Sequence, residues 1–496
     1  MRVLYILTNK VKMLIYIFFF AKMNKRGIMD KIKNLKIVKF LMDKNLTAKV
    51  IKLSILLILI FITFFNQSFG YVAFAFCAVY TIFEFSADSV LWLSICGLLI
   101  PYIKLICINI LIYEMIAILI IRLVIDIIKR PKEYENWRFI TVAILFGALS
   151  LTMLLPLSTT YSFGSHLKKL AFFMVLVLIA INVKQINIKH LFMLFAISVA
   201  TLCILFVIAQ SFGGGIDMVI THEYSKGVVE RFSFFYMDPN LTGAILICAI
   251  ACWFVLYKKN NINKYLYFIV LAILGIFSLM TLSKATCLII GMLGLFILVE
   301  NIVITIKGKN YKHLLELLWY VGVLVFICLI GWKYVDALYI RIFGSGATSG
   351  TGEAMSNLTT GRTDLWKSYL EAIFSSWQMA LFGSGVNSGQ VVKGMFAHNV
   401  PIEYLYKFGI VSVSLLLAMF IILILPYIKN VKIYNYIPLV LIFGIFCSIG
   451  STSSKYVYAF TIIFTSLCYN GKEKVEDDAN IVEALKQNIN SKEELN

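Results

Sequence analysis

The stretch LTGAILICAIACWFVLYKKNNINKYLYFIVLAILGIFSLMTLSKATCLIIGMLGLFILV (residues 241–299) decides the fold class. It contains three apolar runs of helical length, which are separated only by the short polar segments KKNNINK and TLSK. An α-helix needs about 20 predominantly apolar residues to cross the hydrocarbon core of a bilayer. The stretch therefore predicts three consecutive membrane-spanning helices joined by tight connections.

The composition of the whole chain agrees with this prediction. Of its 496 residues, 60% are hydrophobic and 14% are charged, and the mean hydropathy is +0.88. Soluble domains are only about half apolar and about a quarter charged. The apolar runs do not alternate with polar residues as strands do, which excludes an outer-membrane β-barrel. We therefore expect an all-α polytopic integral membrane protein.

Apolar runs of spanning length recur along the chain and predict 12–14 transmembrane helices. The fourteen candidate spans are 51–66, 70–84, 89–106, 108–128, 138–157, 167–182, 188–209, 235–257, 263–281, 284–305, 313–333, 401–427, 435–450 and 456–469. The predicted domains are a basic cytoplasmic or interfacial N-terminal segment (1–50), a transmembrane bundle (51–333), a large extracytoplasmic loop with an amphipathic helix (334–400), C-terminal transmembrane helices (401–469) and a cytoplasmic tail (470–496).

The short loops on one side of this arrangement are basic. The segments that begin at Lys129, Lys258, Lys307 and Lys429 all fall on the same side when fourteen spans are counted. Because Lys and Arg concentrate in cytoplasmic loops, we expect this side and both termini to be cytoplasmic. The formal net charge of +19 is therefore interpreted as a sign of orientation and of contact with the lipid bilayer, with no nucleic-acid partner.

An arginine precedes a helix start in each of the two sizeable loops that are predicted to lie outside. These loops are residues 210–234 and 334–400. Arg231 precedes Asp238–Asn240 (DPN), a cap followed by a first-turn proline, and Arg362 directly precedes Thr363, which can cap the amphipathic helix. A planar guanidinium and a helix N-terminus are the two usual means of binding phosphate. These positions are therefore candidate phosphate-binding sites.

A histidine lies where the largest loop returns to the membrane. His398 belongs to the sequence AHN, which comes just before Pro401. An unperturbed imidazole can accept a proton near neutral pH, and Asn399 is placed to orient it. The alternative is a structural histidine that caps the helix following the loop.

Other outer residues carry weaker signals. Lys284 and Arg341 are cations on the side where cations are rare, although a single such residue is more often solvated or snorkelling. The sequence FGSG occurs at 343–346 and at 382–385. Its glycines permit close backbone approach or backbone contact with an anion.

The cysteines give no indication of a metal site or of a disulfide framework. All ten lie within or at the edge of apolar runs, and none belongs to a CxxC motif. We interpret them as small hydrophobic core residues. The outer loops contain no carboxylate cluster or His/Cys set with metal-ligand spacing, so no metal is predicted.

Four motifs, in order, resemble the bacterial O-antigen polymerase and O-antigen ligase superfamily. They are RFSFFYMDPNLTGAIL (231–246), SLMTLSKATCLIIG (278–291), TGRTDLWKSYLEAIFSSWQMALFGSGV (360–386) and AHNVPIEYLYKFGIVS (397–412), and the similarity extends over about residues 135–470. The second motif departs from the family at one position. Where the family often has arginine after the serine, this chain has Lys284, followed by Ala285. Lysine keeps the charge but lacks the bidentate fork.

The resemblance implies a metal-independent glycosyltransferase of the bacterial cytoplasmic (inner) membrane. Such a protein polymerises undecaprenyl-diphosphate-linked oligosaccharide repeat units into a capsule, exopolysaccharide or O-antigen at the outer face. The implied roles are diphosphate binding by Arg231 and Arg362 and deprotonation of the acceptor by His398. Further substrate-binding candidates are Lys284, Asn240, Asn399 and Arg341. The donor is already activated, so no cofactor is expected, and a flippase and a chain-length regulator are candidate partners.

Three alternatives remain open at the level of sequence. A ligase would transfer the glycan from the same donor to another acceptor. A transporter of lipid-linked glycans would be expected to carry ionisable groups deep in several spans. Here Glu114, Arg122 and Asp126 lie in one early span, outside the part covered by the resemblance, and the other charges lie near span ends. A scaffold without chemistry is disfavoured by the long outer loop.

Overall fold

The computed structural model describes most of the helical part of the chain. The described ranges are 46–84, 105–129, 137–154, 186–213, 219–224, 227–233, 238–308, 312–343, 362–385, 395–428, 432–447 and 457–468, with isolated positions between them. Outside these ranges lie the N-terminal residues up to 45, most of the predicted spans 89–106 and 167–182, most of the first FGSG turn, and the tail.

Helices account for nearly all of the regular structure in these ranges. In chain order they are α1 (Leu46–Thr63), α2 (Phe69–Glu84), α3 (Leu105–Lys129), α4 (Trp137–Thr152), α5 (Ile188–Ser211), α6 (Pro239–Lys258), α7 (Lys264–Met280), α8 (Lys284–Gly308), α9 (Lys312–Ile330), α10 (Trp332–Phe343), α11 (Arg362–Ile373), α12 (Trp377–Phe382), α13 (Val400–Ile428), α14 (Ile437–Phe446) and α15 (Val457–Cys468), with a 3₁₀ turn at Ile433–Asn435. The predicted spans that lie within the described ranges all coincide with helices.

Several helices are suited to a membrane. Among the described residues, four helices (α5, α6, α8 and α13) are individually long and apolar enough to cross one. A fifth candidate arises if the bent pair α9–α10 counts as a single span. These helices indicate a membrane protein of predominantly helical structure, as the apolar runs predict.

Helix α6 forms the centre of the bundle. It packs against α5, α7, α8, α14 and α15. Of its most apolar 18 residues, 89% are buried inside the protein. A helix that is apolar on all sides is expected at such a position. Gly243 permits the close approach of α8, because a Cβ at this position would overlap Oγ1 of Thr286.

A two-stranded hairpin lies between α5 and α6, where the sequence predicts only a loop. Strands β1 (Val219–Tyr224) and β2 (Gly227–Phe232) pair antiparallel, with Ile220 opposite Arg231. Phe232 anchors the hairpin, since its ring lies 5.0 Å from that of Phe206 and 5.4 Å from that of Phe277. The strand sequences VITHEY and GVVERF do not alternate strictly between apolar and polar residues, so they lack the usual sequence signal of a half-buried strand.

Helix α13 is broken, although the sequence predicts one continuous span over 401–427. Gly409 has φ 70° and ψ 171°, outside helical geometry. The break leaves the carbonyls of Tyr406 and Lys407 without their usual partners in the following turn. The second FGSG turn supplies new donors. The N–H of Ser384 donates a hydrogen bond of 2.8 Å to the carbonyl oxygen of Tyr406, and the N–H of Gly385 donates one of 3.0 Å to that of Lys407.

A second bend separates α9 from α10. The two helices meet at 81°, and Gly331 lies between them. A Cβ on Gly331 would come within 2.6 Å of the Leu279 side chain and 2.8 Å of the Ile327 carbonyl oxygen. The sequence places these residues at the end of a span and the start of a loop, so α10 is an addition to the predicted structure.

Candidate anion-binding site

The predicted outer residues converge at one end of the bundle. The converging elements are strand β2, the start of α6, the turn between α7 and α8, the end of α10, and the starts of α11 and α13. Helices α6, α7 and α8 have their opposite ends at the basic loops that follow Lys258 and Lys307. The site is therefore separated from the basic loops by the length of these helices.

Arg231 joins three of these elements. Its Nε donates a hydrogen bond of 3.2 Å to the carbonyl oxygen of Thr281, at the end of α7. Its Nη2 donates one of 3.3 Å to Oδ1 of Asn240, in the first turn of α6. The side chain is buried. The predicted proximity of Arg231 to a helix start is thus achieved through the side chain of Asn240.

The turn between α7 and α8 completes this contact. Leu282 has φ 49°, so the chain reverses direction within two residues. Oγ of Ser283 donates a hydrogen bond of 3.1 Å to the same oxygen of Asn240 that Arg231 uses. Lys284 follows at once in the first turn of α8. The turn therefore delivers Lys284 to the neighbourhood of Arg231.

The start of α6 has the predicted cap. Oδ1 of Asp238 accepts hydrogen bonds from the backbone N–H groups of Asn240, at 2.8 Å, and Leu241, at 3.4 Å. Pro239 occupies the first turn, where its missing N–H costs nothing. Asp238 also interacts electrostatically with Arg362 and His398. Among the described residues, Asp238 and Glu403 are the acidic groups that act on His398.

Three further cations lie within electrostatic range of one another. Lys284 interacts with both Arg341 and Arg362, and Arg341 also interacts with Arg362. Partial burial and the neighbouring Arg341 lower the pKa of the Arg362 guanidinium, while Asp238 acts in the opposite direction. The fold thus brings together Arg231, Lys284, Arg341 and Arg362, and we call these four residues the cation cluster.

Helix α11 places Arg362 and also fixes the segment that leads to His398. The structure begins this helix at Arg362, so Thr363 lies inside the first turn and is not the predicted cap. Nε1 of Trp366 donates a hydrogen bond of 2.8 Å to the carbonyl oxygen of Ala397. The hydroxyl of Tyr369 donates one of 3.1 Å to the carbonyl oxygen of Met395. The buried residues of α11 are Leu365, Tyr369 and Ile373. The helix packs on α13, where the ring of Tyr406 lies 5.2 Å from that of Tyr369.

His398 is held in an unusual backbone conformation beside this helix. Its φ of 47° lies in the left-handed region, which non-glycine residues adopt rarely and often at functional sites. Desolvation lowers the pKa of its imidazole, and Arg362 lowers it further, whereas Asp238 and Glu403 oppose this change. The imidazole is therefore mainly neutral at pH 7 and able to accept a proton.

Asn399, and not His398, caps the following helix. Its Oδ1 accepts a hydrogen bond of 3.1 Å from the backbone N–H of Ile402. Its Nδ2 donates one of 3.1 Å to the carbonyl oxygen of Cys447. The oxygen and the nitrogen of the Asn399 amide therefore each bond a main-chain group. Asn399, which was predicted to bind substrate, thus has a structural role. The capping alternative for His398 is not what the structure shows.

A buried ion pair lies in the first two turns of α13, next to the site. It was not predicted from the sequence. Nζ of Lys407 lies 2.8 Å from Oε1 of Glu403, and the side chains are 9% and 1% exposed. The signal was present, because Glu and Lys four residues apart on a helix face each other. Glu403 also interacts electrostatically with His398.

No group of three or more His, Cys, Asp or Glu side chains that could hold a metal ion occurs among the residues described.

Comparison of the chain with protein-family models, with curated proteins and with solved structures gives no match. The chemistry of the cation cluster and of His398 is therefore the basis on which a function can be proposed.

Proposed function

We propose that this protein polymerises undecaprenyl-diphosphate-linked oligosaccharide repeat units into a surface polysaccharide at the outer face of the bacterial cytoplasmic membrane. The observation that carries the proposal is the convergence of the four residues of the cation cluster beside His398, at one end of an apolar helical bundle. Such a site suits an anionic group attached to a lipid, next to a general base. The resemblance of the four motifs to polysaccharide polymerases and ligases supports the same assignment.

Lys284, Arg341 and Arg362 repel one another, and the two described carboxylates that act on His398 are also engaged elsewhere. Asp238 is engaged in capping α6, and Glu403 is paired with Lys407. A diphosphate bears at least two negative charges and several acceptor oxygens, which match guanidinium donors well. Binding of a diphosphate would therefore relieve the mutual repulsion of the cluster.

The reaction requires one proton transfer and one displaced group. In this proposal the hydroxyl oxygen of the acceptor sugar attacks the anomeric carbon of the donor glycan. The bond from that carbon to the phosphate oxygen breaks, and the lipid diphosphate leaves with the electron pair. His398 accepts the hydroxyl proton, while Arg231 and Arg362 stabilise the charge that develops on the leaving diphosphate. The donor supplies the driving force, so no nucleotide is needed.

The membrane arrangement belongs to the proposal as well. We assign 12–14 spans, both termini in the cytoplasm and the region 334–400 outside, because the basic loops and the cation cluster lie at opposite ends of α6, α7 and α8. Single cysteines at Lys367 and at Lys432, both exposed, test this in a background without accessible native cysteines. An impermeant thiol reagent applied to intact cells should label position 367 only. Labelling of position 432 alone would reverse the orientation.

Activity can be tested with the full chain reconstituted in liposomes. The substrate is the lipid-linked oligosaccharide extract of the producing bacterium, and the products are separated by length on a gel. We expect a ladder of polymers together with released undecaprenyl diphosphate. Transfer of a single glycan to a different acceptor would instead assign a ligase. Movement of the lipid-linked unit across the bilayer without chain growth would assign a transporter and overturn the proposal.

A further inference from the structure

Helix α10 turns away from the preceding span at the end of the bundle where the cation cluster lies. The angle between α9 and α10 is 81°, and contacts with Leu279 and Ile327 leave room only for glycine at position 331. If α9 crosses the bilayer, α10 therefore runs nearly parallel to the membrane plane. Its last turn contains Arg341.

The two sides of α10 have different chemistry. Trp332 and Tyr339 are 67% and 61% exposed, whereas Arg341 is only 8% exposed. Tryptophan and tyrosine are enriched where a protein meets the lipid headgroups. The exposed side of α10 is thus suited to the membrane interface, while Arg341 extends from the same helix into the protein.

Arg341 is buried with hydrogen-bonding capacity unused. Its Nε and Nη1 are buried and make no hydrogen bond, and it forms no ion pair with any residue in the described ranges. Lys333, at the other end of α10, is exposed and lies 3.2 Å from Glu230. A buried guanidinium with unmade hydrogen bonds is costly unless an anion completes them.

The neighbours of Arg341 indicate what this anion is. Arg341 interacts with Lys284 and Arg362, both cations, so neither of these described neighbours supplies the anion. A bound anionic ligand can supply it. Arg231 belongs to a different element, strand β2, and is anchored to Thr281 and Asn240. A ligand held by the whole cluster must therefore offer acceptor oxygens both to Arg231 and to Arg341 on the interfacial helix α10, as two linked phosphates can do.

We infer that Arg341 binds the lipid-side phosphate of the donor and thereby makes the site select polyprenyl diphosphates over polyprenyl monophosphates. This inference rests on the proposed function, because it takes the lipid-linked diphosphate as the ligand. Arg231 and Arg362 bind the sugar-side phosphate. A monophosphate can engage only one of the two positions, so it gains little from the presence of Arg341.

The test compares two soluble probes of the donor, farnesyl diphosphate and farnesyl monophosphate. Their dissociation constants are measured on the full chain in phosphatidylcholine nanodiscs. The wild-type protein should prefer the diphosphate. Arg341→Gln should weaken diphosphate binding by about 10- to 100-fold, as expected for lost hydrogen bonds to a charged group, with little change for the monophosphate. Arg341→Lys, which keeps the charge without the fork, should be intermediate.

Lys333→Gln is the matched control, because it removes a cation from the same helix outside the cluster; both affinities should be retained. The thermal unfolding temperature of Arg341→Gln should not fall, since the substitution removes an uncompensated buried charge. If Arg341→Gln keeps the wild-type preference for diphosphate, or loses both affinities in parallel, the inference is overturned while the proposed function stands. If the wild-type protein binds neither probe, the proposed function itself fails.

Discussion

The indole nitrogen of Trp366 donates a hydrogen bond of 2.8 Å to the carbonyl oxygen of Ala397, the residue that precedes His398. Trp366 lies one helical turn after Arg362, at the start of the same helix. One turn of α11 therefore fixes both the guanidinium of Arg362 and the backbone next to the imidazole. In the proposed reaction, this contact sets the distance between the base and the diphosphate-binding group.

Trp366→Phe tests this positioning role. The change keeps the aromatic ring but removes the donor, so the segment before His398 should be held less firmly. We expect kcat to fall about 10-fold, because small displacements of a base are costly in rate, and KM to change much less. The pH dependence should keep its wild-type form, since His398 is still present. Trp377→Phe, at an exposed tryptophan of the next helix, should leave kcat unchanged.

Arg231→Lys and Arg362→Lys should each impair polymer formation although the charge is retained. Lysine cannot reproduce the planar fork of donors, and at position 231 it would lose the simultaneous contacts with Thr281 and Asn240. Polymer length and rate are measured at matched protein levels. Lys367→Gln is the control, because Lys367 is exposed and forms only a 4.0 Å pair with Glu371. Wild-type activity in both lysine variants would contradict the diphosphate assignment.

His398→Ala should reduce turnover by about 10²- to 10⁴-fold, the usual contribution of a general base. His398→Asn is the sharper variant. Asparagine tolerates the left-handed backbone of this position but cannot accept a proton near neutral pH. Since Asn399 already caps α13, His398→Asn should fold normally and be nearly inactive. Wild-type turnover in this variant would exclude His398 as the base.

The pH profile gives an independent measurement of the same residue. A general base acts when neutral, so the rate should rise with pH through the pKa of His398 and then level off. Desolvation and Arg362 lower this pKa in the free protein, so the rise in kcat/KM should occur below about pH 6.5. A bound diphosphate adds negative charge nearby and raises the pKa, so the rise in kcat should occur at higher pH. In His398→Asn this rise should be absent.

The contact between α6 and α8 can be tested by a double substitution. Gly243→Ala should destabilise the protein by about 1–3 kcal/mol, because the new methyl group overlaps Oγ1 of Thr286. Thr286→Ala alone should have little effect, since this oxygen makes no hydrogen bond. Thermal unfolding in detergent should show that the double variant recovers part of the loss. Gly294→Ala, where nothing lies within 4 Å, is the control.

The ion pair between Glu403 and Lys407 should show strong coupling. Lys407→Met leaves the carboxylate of Glu403, which is 1% exposed, without its partner, and should cost about 3–5 kcal/mol. The double variant Glu403→Gln with Lys407→Met removes both charges and should recover most of that stability. The measurement is again thermal unfolding of the purified protein. Equal losses in the single and double variants would show that the pair contributes packing and not charge compensation.

The sequence predicts the helices well because their signal is local. A run of apolar residues such as 241–256 requires burial over its whole length, whatever surrounds it. The sequence also predicts that Arg231, Arg362 and His398 share one side, because the basic loops all fall on the opposite side of the predicted spans. These predictions need no knowledge of contacts between distant residues.

Three of the features that the sequence did not predict depend on such contacts. The break at Gly409 becomes stable only because the N–H groups of Ser384 and Gly385 bond the carbonyls it frees. The bend at Gly331 depends on the closeness of Leu279. The amide of Asn399, which caps α13, also donates a hydrogen bond to the carbonyl oxygen of Cys447, directly after α14. In each case an ordinary glycine or asparagine acquires its role from a segment far away in the chain.

The junction between the second FGSG turn and the broken helix has an evolutionary consequence. Two of its hydrogen bonds join backbone to backbone, a third comes from the hydroxyl of Ser384, and its closest contacts are those of Gly383 and Gly409 with main-chain atoms. Side chains around it can therefore drift widely while the glycines are retained, because only a residue without a Cβ fits at each of these two points. Relatives of this chain should accordingly be recognisable by the pairing of an FGSG turn with a glycine inside the following span, even where little else in the sequence is shared.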